Sequence, residues 1–208
     1  MAQVPLLLWQ IRQWAKRNKF GFIFYYPTFL FSKLSQYIRL WVILVGVLVL
    51  DQMTKSWAVN HALELRRNPM VVIDGLDGPP ALLEFTYITN PGAAWSLFSD
   101  YPEALTFLAA FALVSIFLFR KHLELNRTPL QFVFGAICGG IAGNLGDRLF
   151  RKPAEVVDFI DVYIPVINYD YPIFNIADSA IFIGAFSYLL IGILDSKKNQ
   201  KLEVSSST

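Results

Sequence analysis

Leu40–Leu50 reads LWVILVGVLVL, and Asp51-Gln-Met-Thr-Lys55 follows it without a break. A helix that crosses a bilayer needs about 20 mostly apolar residues. Tyr37–Val59 meets that need, and it carries an acid and a base four residues apart toward its far end. Working outward, three further stretches have the same character: Ala104–Phe119, short but strongly apolar, Leu130–Leu145, rich in small residues, and Ile176–Leu194. The whole chain agrees with this reading. Its 208 residues are 55% apolar and only 16% charged, with a mean hydropathy of +0.44. A water-soluble domain carries about 25% charged residues.

The charges that remain are unevenly distributed. The first 50 residues carry Arg12, Lys16, Arg17, Lys19, Lys33 and Arg39 and no acid. Arg120, Lys121 and Arg127 lie between the second and third spans, and Lys197, Lys198 and Lys201 follow the fourth. Basic residues close to helix ends mark the cytoplasmic side, so both termini are expected in the cytoplasm. Asn60–Glu103 and Gly146–Asn175 are then expected to face outward, although Arg66, Arg67, Arg148, Arg151 and Lys152 within them run against the trend. Phe20–Phe31, apolar but interrupted by Pro27, is expected to lie along the membrane surface within an N-terminal extension, residues 1–36. Residues 37–195 form the membrane domain, and the polar tail 196–208 is expected to be disordered. In the first outer loop, Met70–Ile73 and Leu82–Ile88 read as short strands separated by Asp77-Gly-Pro-Pro turn chemistry. The expected fold is therefore membrane all-α, with four transmembrane helices and a small periplasmic sheet, about 68–98, between helices one and two.

Ionisable groups inside a membrane cost at least about 2.5–3.5 kcal/mol near a helix centre, so those near the span ends need a reason. Asp51 and Lys55 share a helix face; a plain ion pair near the interface is one reading of them. Asn144, Asp147 and Arg148 close the third span, Asn175 and Asp178 open the fourth, and Asp158 sits in the apolar run Val156-Val-Asp-Phe-Ile. Asn175 reads simply as a helix N-cap, and Asp178 as a first-turn acid favoured by the helix dipole. Neither reading explains Asp158. If Asp158 and Asp178 converge, the two carboxylates share one proton. One then takes a proton from water while the other gives one to a scissile carbonyl, a peptide hydrolysis that requires no metal or cofactor. Cys138 stands alone in an apolar run and reads as an inert buried thiol. His61 and His122 are too far apart for a zinc site, and Gly139, Gly140 and Gly143 suit close helix packing better than phosphate binding.

Five blocks carry a resemblance. Asp51-Gln-Met-Thr-Lys, Asn90-Pro-Gly-Ala-Ala-Trp-Ser, Gly139–Leu149, Val156-Val-Asp-Phe-Ile-Asp and Phe174-Asn-Ile-Ala-Asp-Ser together resemble bacterial lipoprotein signal peptidase (signal peptidase II), over about Leu40–Leu194. The resemblance implies an aspartyl endopeptidase of the inner membrane with Asp158 and Asp178 as its catalytic pair. It implies supporting roles for Asn144, Arg148, Asn175 and Ala177, and places Asp51, Lys55, Asn90, Gly92 and Ala94 toward the substrate and loop side. The implied substrates are prolipoproteins whose lipobox cysteine carries diacylglycerol, met in membrane lipid, with no nucleic-acid partner. The long N-terminal extension and the stretch Arg148–Val156 depart from the family's usual lengths. Two other classes remain in view: an ion-coupled transporter using intramembrane carboxylates, and a scaffold whose polar residues serve packing alone.

Overall fold

The computed structural model describes residues 36–75, 80–92 and 97–206. The expected interfacial segment Phe20–Phe31, most of the Asp77–Pro80 turn, and Ala94 lie outside the described residues. The chain divides into two units, Met1–Ile38 and Arg39–Thr208. The described helices and strands belong to the second, apart from the first residue of α1. In chain order they are α1 (Ile38–Asn60), α2 (Ala62–Arg67), β1 (Met70–Ile73), β2 (Leu83–Asn90), α3 (Pro102–Leu118), α4 (Thr128–Phe150), β3 (Val156–Ile164), β4 (Tyr169–Phe174) and α5 (Ile176–Ser206).

Helices α1, α4 and α5 are long and apolar enough to cross a membrane; α3 is equally apolar but has only 17 residues. Prolines open α3 and α4, where a missing N–H costs nothing and the fixed φ suits the first turn. The burial pattern is the reverse of a soluble bundle. On α1 the apolar Val42, Val45, Val49 and Met53 are exposed, whereas Asp51 and Lys55 are 0% exposed. Charge inside and aliphatic surface outside is stable only where the surroundings are themselves apolar.

Small residues let the helices approach closely enough to enclose that charge. A Cβ on Gly135 or Gly139 would meet the Leu40 or Leu44 carbonyl oxygen of α1 at 2.8 Å. One on Gly140 would run into the Ala177 carbonyl at the head of α5, and one on Gly143 into the Asp51 carboxylate. The glycines therefore serve helix packing, as their spacing suggests, and they mark where α4 touches both neighbours.

The strands form one antiparallel sheet in the order β1-β2-β3-β4. This corrects two expectations. The sheet is not confined to the segment between the first two helices, since half of it comes from Val156–Phe174. It therefore extends well beyond 68–98. β3 is hard to see in sequence because it is an inner strand whose first four residues, Val156–Phe159, are all buried. A strand covered on both faces loses the alternation that betrays strands. Trp57, Phe85 and Phe159 pack edge to face, with ring centroids 5.7–6.4 Å apart, and fasten the sheet to the end of α1. The tail also differs from expectation, because α5 continues as helix to Ser206. Its Lys, Gln, Leu and Glu residues are good helix formers, and extending a helix already begun is far easier than starting one.

The packing contacts predict a contrast between two glycines. Gly140→Ala should destabilise the protein by about 1–3 kcal/mol through overpacking against backbone. Gly46→Ala, where nothing lies within 4 Å, should leave stability unchanged or slightly raised. Thermal unfolding of the detergent-solubilised protein measures both.

Candidate active site

The N-terminus of α5 is where the polar residues meet. Asn175 is its N-cap: the side-chain Oδ1 accepts from the Asp178 N–H at 2.9 Å, and Asp178 Oδ2 accepts from the Asn175 N–H at 3.2 Å. This reciprocal arrangement is a capping box. The Ala177 N–H donates to Asp51 Oδ1 at 2.9 Å, so a residue of α1 satisfies another open donor of α5. The plain capping roles read from the sequence are thus real. They do not compete with a chemical role, because capping is what holds Asp178 in place.

Below Asp178 lies a buried cluster of charge. Lys55 Nζ donates to Asp51 Oδ2 at 3.0 Å, to Asp147 Oδ2 at 2.9 Å and to Asn144 Oδ1 at 2.8 Å. Asp147 also accepts from Arg151 Nε at 2.7 Å, from Gln52 Nε2 at 3.1 Å and from the Val157 N–H at 3.2 Å. An ammonium can only donate, so Asn144 must turn its oxygen toward Lys55 and its amide N–H groups the other way. They point at Asp178: Asn144 Nδ2 donates to Asp178 Oδ1 at 2.7 Å. Asn175 is oriented by the same logic. Its oxygen is taken by the Asp178 N–H, so its Nδ2 reaches Asp158 Oδ1 at 2.7 Å and Asn144 Oδ1 at 3.2 Å.

Asp158 arrives from β3, opposite Ile88 of β2. It is 2% exposed, and Asn90 Nδ2 donates to its Oδ2 at 3.2 Å. Burial, reinforced by the nearby Asp178 charge, pushes the Asp158 carboxyl up to about 7, against the pull of the Asn90 and Asn175 hydrogen bonds. The Asn90 oxygen caps the Gly92 N–H at 2.9 Å, and the Gly92 carbonyl accepts from Arg148 Nη2 at 2.8 Å. Asp158 and Asp178 both line a cavity of about 410 Å³ with Asn90, Gly92, Asn144 and Arg148. Its remaining walls are mainly apolar residues of α3, α4, α5, β3 and β4. An apolar cleft with a few convergent polar groups is the usual form of a ligand site.

The structure thus brings together Asp158, Asp178, Asn90, Gly92, Asn144, Arg148 and Asn175. Asp51, Lys55 and Ala177 stand behind them rather than in the cavity, and Ala94 lies outside the described residues. Reading Asp51 and Lys55 as an interfacial pair proves too small, since Lys55 also bonds α4 through Asp147 and Asn144. Sequence reading passed over Gln52 and Arg151. The spacing of Asp147 and Arg151, four apart, would have exposed the second. Asp161 is outside the cavity, opposite Glu84 on the sheet. Cys138 is buried, as expected.

The family described as signal peptidase (SPase) II matches residues 43–194. This chain belongs to the signal peptidase II family. A lipoprotein signal peptidase of Neisseria gonorrhoeae is 36% identical over 173 residues, covering 82% of this chain and 98% of that protein. A bacterial membrane enzyme solved by the in meso method at 2.3 Å resolution is 31% identical, with a TM-score of 0.63 over 76% of this chain and 88% of its own. A second such structure, at 1.9 Å, is 30% identical, with a TM-score of 0.56 over 74% and 90%. As a member of this family the chain is a membrane protease, and the transporter alternative finds no support.

Removing one partner from a buried ion cluster costs about 3–5 kcal/mol, because the others stay buried and unpaired. Lys55→Met should therefore lower stability by that amount in chemical unfolding, and more than Lys152→Met, which changes an exposed residue.

Proposed function

We propose that this protein is an aspartyl endopeptidase that removes signal peptides from diacylglyceryl-modified prolipoproteins, cutting just before the lipidated cysteine. Asp158 and Asp178 are the catalytic pair. The observation that carries this reading is their convergence from separate elements, β3 and the first turn of α5, on one cavity. Asp158, protonated near neutrality, gives its proton to the scissile carbonyl oxygen while Asp178 takes one from the attacking water. Asn144 and Asn175 hold the two carboxylates by oriented amide N–H groups, and Asn90 and Arg148 fix the loop at the cavity mouth. The pair activates water itself and needs no metal or cofactor.

The same reading sets the surroundings. Four helices cross the inner membrane, α3 the shortest, with both termini cytoplasmic and the sheet at the periplasmic surface. Residues 1–36 are a basic and apolar extension, 37–195 the peptidase domain, and 196–208 a cytoplasmic tail. The substrate enters with its acyl chains in membrane lipid, through the apolar wall that α3 lends the cavity, and nucleic acid has no part.

Asn is nearly isosteric with Asp but cannot exchange a proton. Asp158→Asn and Asp178→Asn should each reduce cleavage of a diacylated prolipoprotein by about 10²–10⁴-fold, whereas Asp161→Asn should retain most activity. Cleavage should continue in EDTA. Chelator-induced loss reversed by a divalent ion, or a fully active Asp158→Asn enzyme, overturns the mechanism.

The pH dependence has a definite sign. A carboxyl raised to about 7 is protonated below that pH and loses its proton above it. kcat/KM should therefore fall as pH rises through about 7. Asn90 stabilises the ionised form, so Asn90→Leu should move that alkaline limb to higher pH, whatever it does to the absolute rate.

A further inference from the structure

At the end of the bundle away from the two aspartates, a second set of cavities has the form of one elongated site. A cleft of about 550 Å³ runs between α3 and α5 over α4, lined by Ser115, Ile116 and Phe119, by Phe134 and Ile137, and by Ala185 and Tyr188. Its lining is almost wholly apolar, and Tyr188 packs edge to face on Phe134 at 5.3 Å. It adjoins a cavity of about 660 Å³ at the helix ends, with which it shares the lining residues Leu123, Tyr188 and Leu189. The outer cavity has a different character: His122, Glu124, Arg127, Asp195 and Lys197 line it.

The proportions match one leaflet. Ala185 and Lys197 are twelve residues apart on a continuous helix, about 18 Å at 1.5 Å per residue. Half of a hydrocarbon core is about 15 Å. The apolar stretch, Ala185–Ile193, takes about 12 Å of that length, most of one leaflet, and the charged residues Asp195 and Lys197 follow at headgroup level. The charges are balanced, with Glu124 and Asp195 against Arg127 and Lys197. Arg127 bridges the two acids, from Nη1 to Glu124 Oε2 at 2.9 Å and from Nη2 to Asp195 Oδ2 at 2.7 Å. The two carboxylates stay accessible, with side chains 58% and 42% exposed. Each uses one oxygen on Arg127, and the other oxygen is available to a donor.

We propose that this site holds an amine-bearing zwitterionic glycerophospholipid of the phosphatidylethanolamine class. One acyl chain fills the Ser115–Phe134–Ala185 cleft. The ammonium donates to Glu124 and Asp195, and the phosphate meets Lys197 and His122. The balanced charge selects against an anionic headgroup, and the two carboxylates ask for N–H donors that a quaternary ammonium lacks. The site also has a mechanical consequence. Among its described residues α3 has none buried, yet it walls both this cleft, through Ser115 and Ile116, and the aspartate cavity, through Leu105, Leu108, Ala109 and Ala112. A lipid in the lower cleft fixes α3 and, with it, the wall of the upper cavity. This site is independent of the peptidase reading.

Native mass spectrometry of the full chain, released from detergent with palmitoyl-oleoyl phosphatidylethanolamine, phosphatidylcholine or phosphatidylglycerol, tests the proposal. Retention of the ethanolamine lipid should exceed that of the other two by about tenfold, the size of one charge-assisted hydrogen bond. Glu124→Gln with Asp195→Asn should abolish the preference. Ala185→Phe, which fills the cleft and leaves the headgroup residues untouched, should reduce retention of all three lipids. Equal retention of the three by the unaltered protein, or a preference that survives the double substitution, overturns the proposal. So does an unchanged lipid profile in the double variant accompanied by slower cleavage only of substrates with a basic leader; the acids would then dock a peptide instead.

Discussion

Lys55 has three N–H donors, and the fold spends all three inside the bundle: on Asp51 of its own helix and on Asp147 and Asn144 of α4. A buried ammonium is tolerable only when each donor is taken and its charge is met. Here Lys55 and Arg151 face Asp51 and Asp147, so the cluster is neutral. That requirement governs the packing around it. α1 and α4 must come close enough for a lysine to bridge them, which is why Gly143, directly against the Asp51 carboxylate, has no side chain to offer.

The same ammonium reaches the aspartate cavity without touching it. Because Lys55 donates only, it decides which way the Asn144 amide faces, and the amide N–H is delivered to Asp178. Asn175 is oriented in turn by its duty as helix cap and delivers an N–H to Asp158. Two amides thus convert a structural charge cluster and a helix terminus into fixed donors for two carboxylates. The elements carrying those carboxylates are stiff for different reasons. Asp178 is clamped in a capping box, and Asp158 lies on an inner strand paired on both sides.

α3 is the exception to this rigidity. It is apolar throughout, has no buried described residue, and rests mainly on α4. It forms one wall of the aspartate cavity and one wall of the cleft at the opposite end. A bundle whose polar interior is tightly tied and whose helix α3 is loosely applied has one side on which an opening disturbs none of the ion pairs described above.

How much of this was legible beforehand depends on the range of the interaction concerned. The apolar runs of α1, α3, α4 and α5 declare themselves because a helix satisfies its own backbone hydrogen bonds, so its signal is contained in consecutive residues. The pairing of Asp51 with Lys55 and the capping by Asn175 are equally local. Asp158 and Asp178 could be named as a pair from residue type and family resemblance, but twenty positions separate them. Their convergence depends on β3 sitting inside a sheet that begins at Met70. That sheet was half visible, because β1 and β2 flank recognisable turn chemistry whereas Val156–Phe159 is buried throughout, with Asp158 inside it, and shows no strand alternation. The role of Gln52, which reaches Gly143 and Asp147 on α4, was set by tertiary contact. Residue identity and spacing therefore determined the helices, their caps and the candidate acids. The tertiary structure alone decided that Lys55 joins α1 to α4, which way two amides point, and that two aspartates share a cavity, since hydrogen-bond direction between distant segments leaves no trace in local pattern.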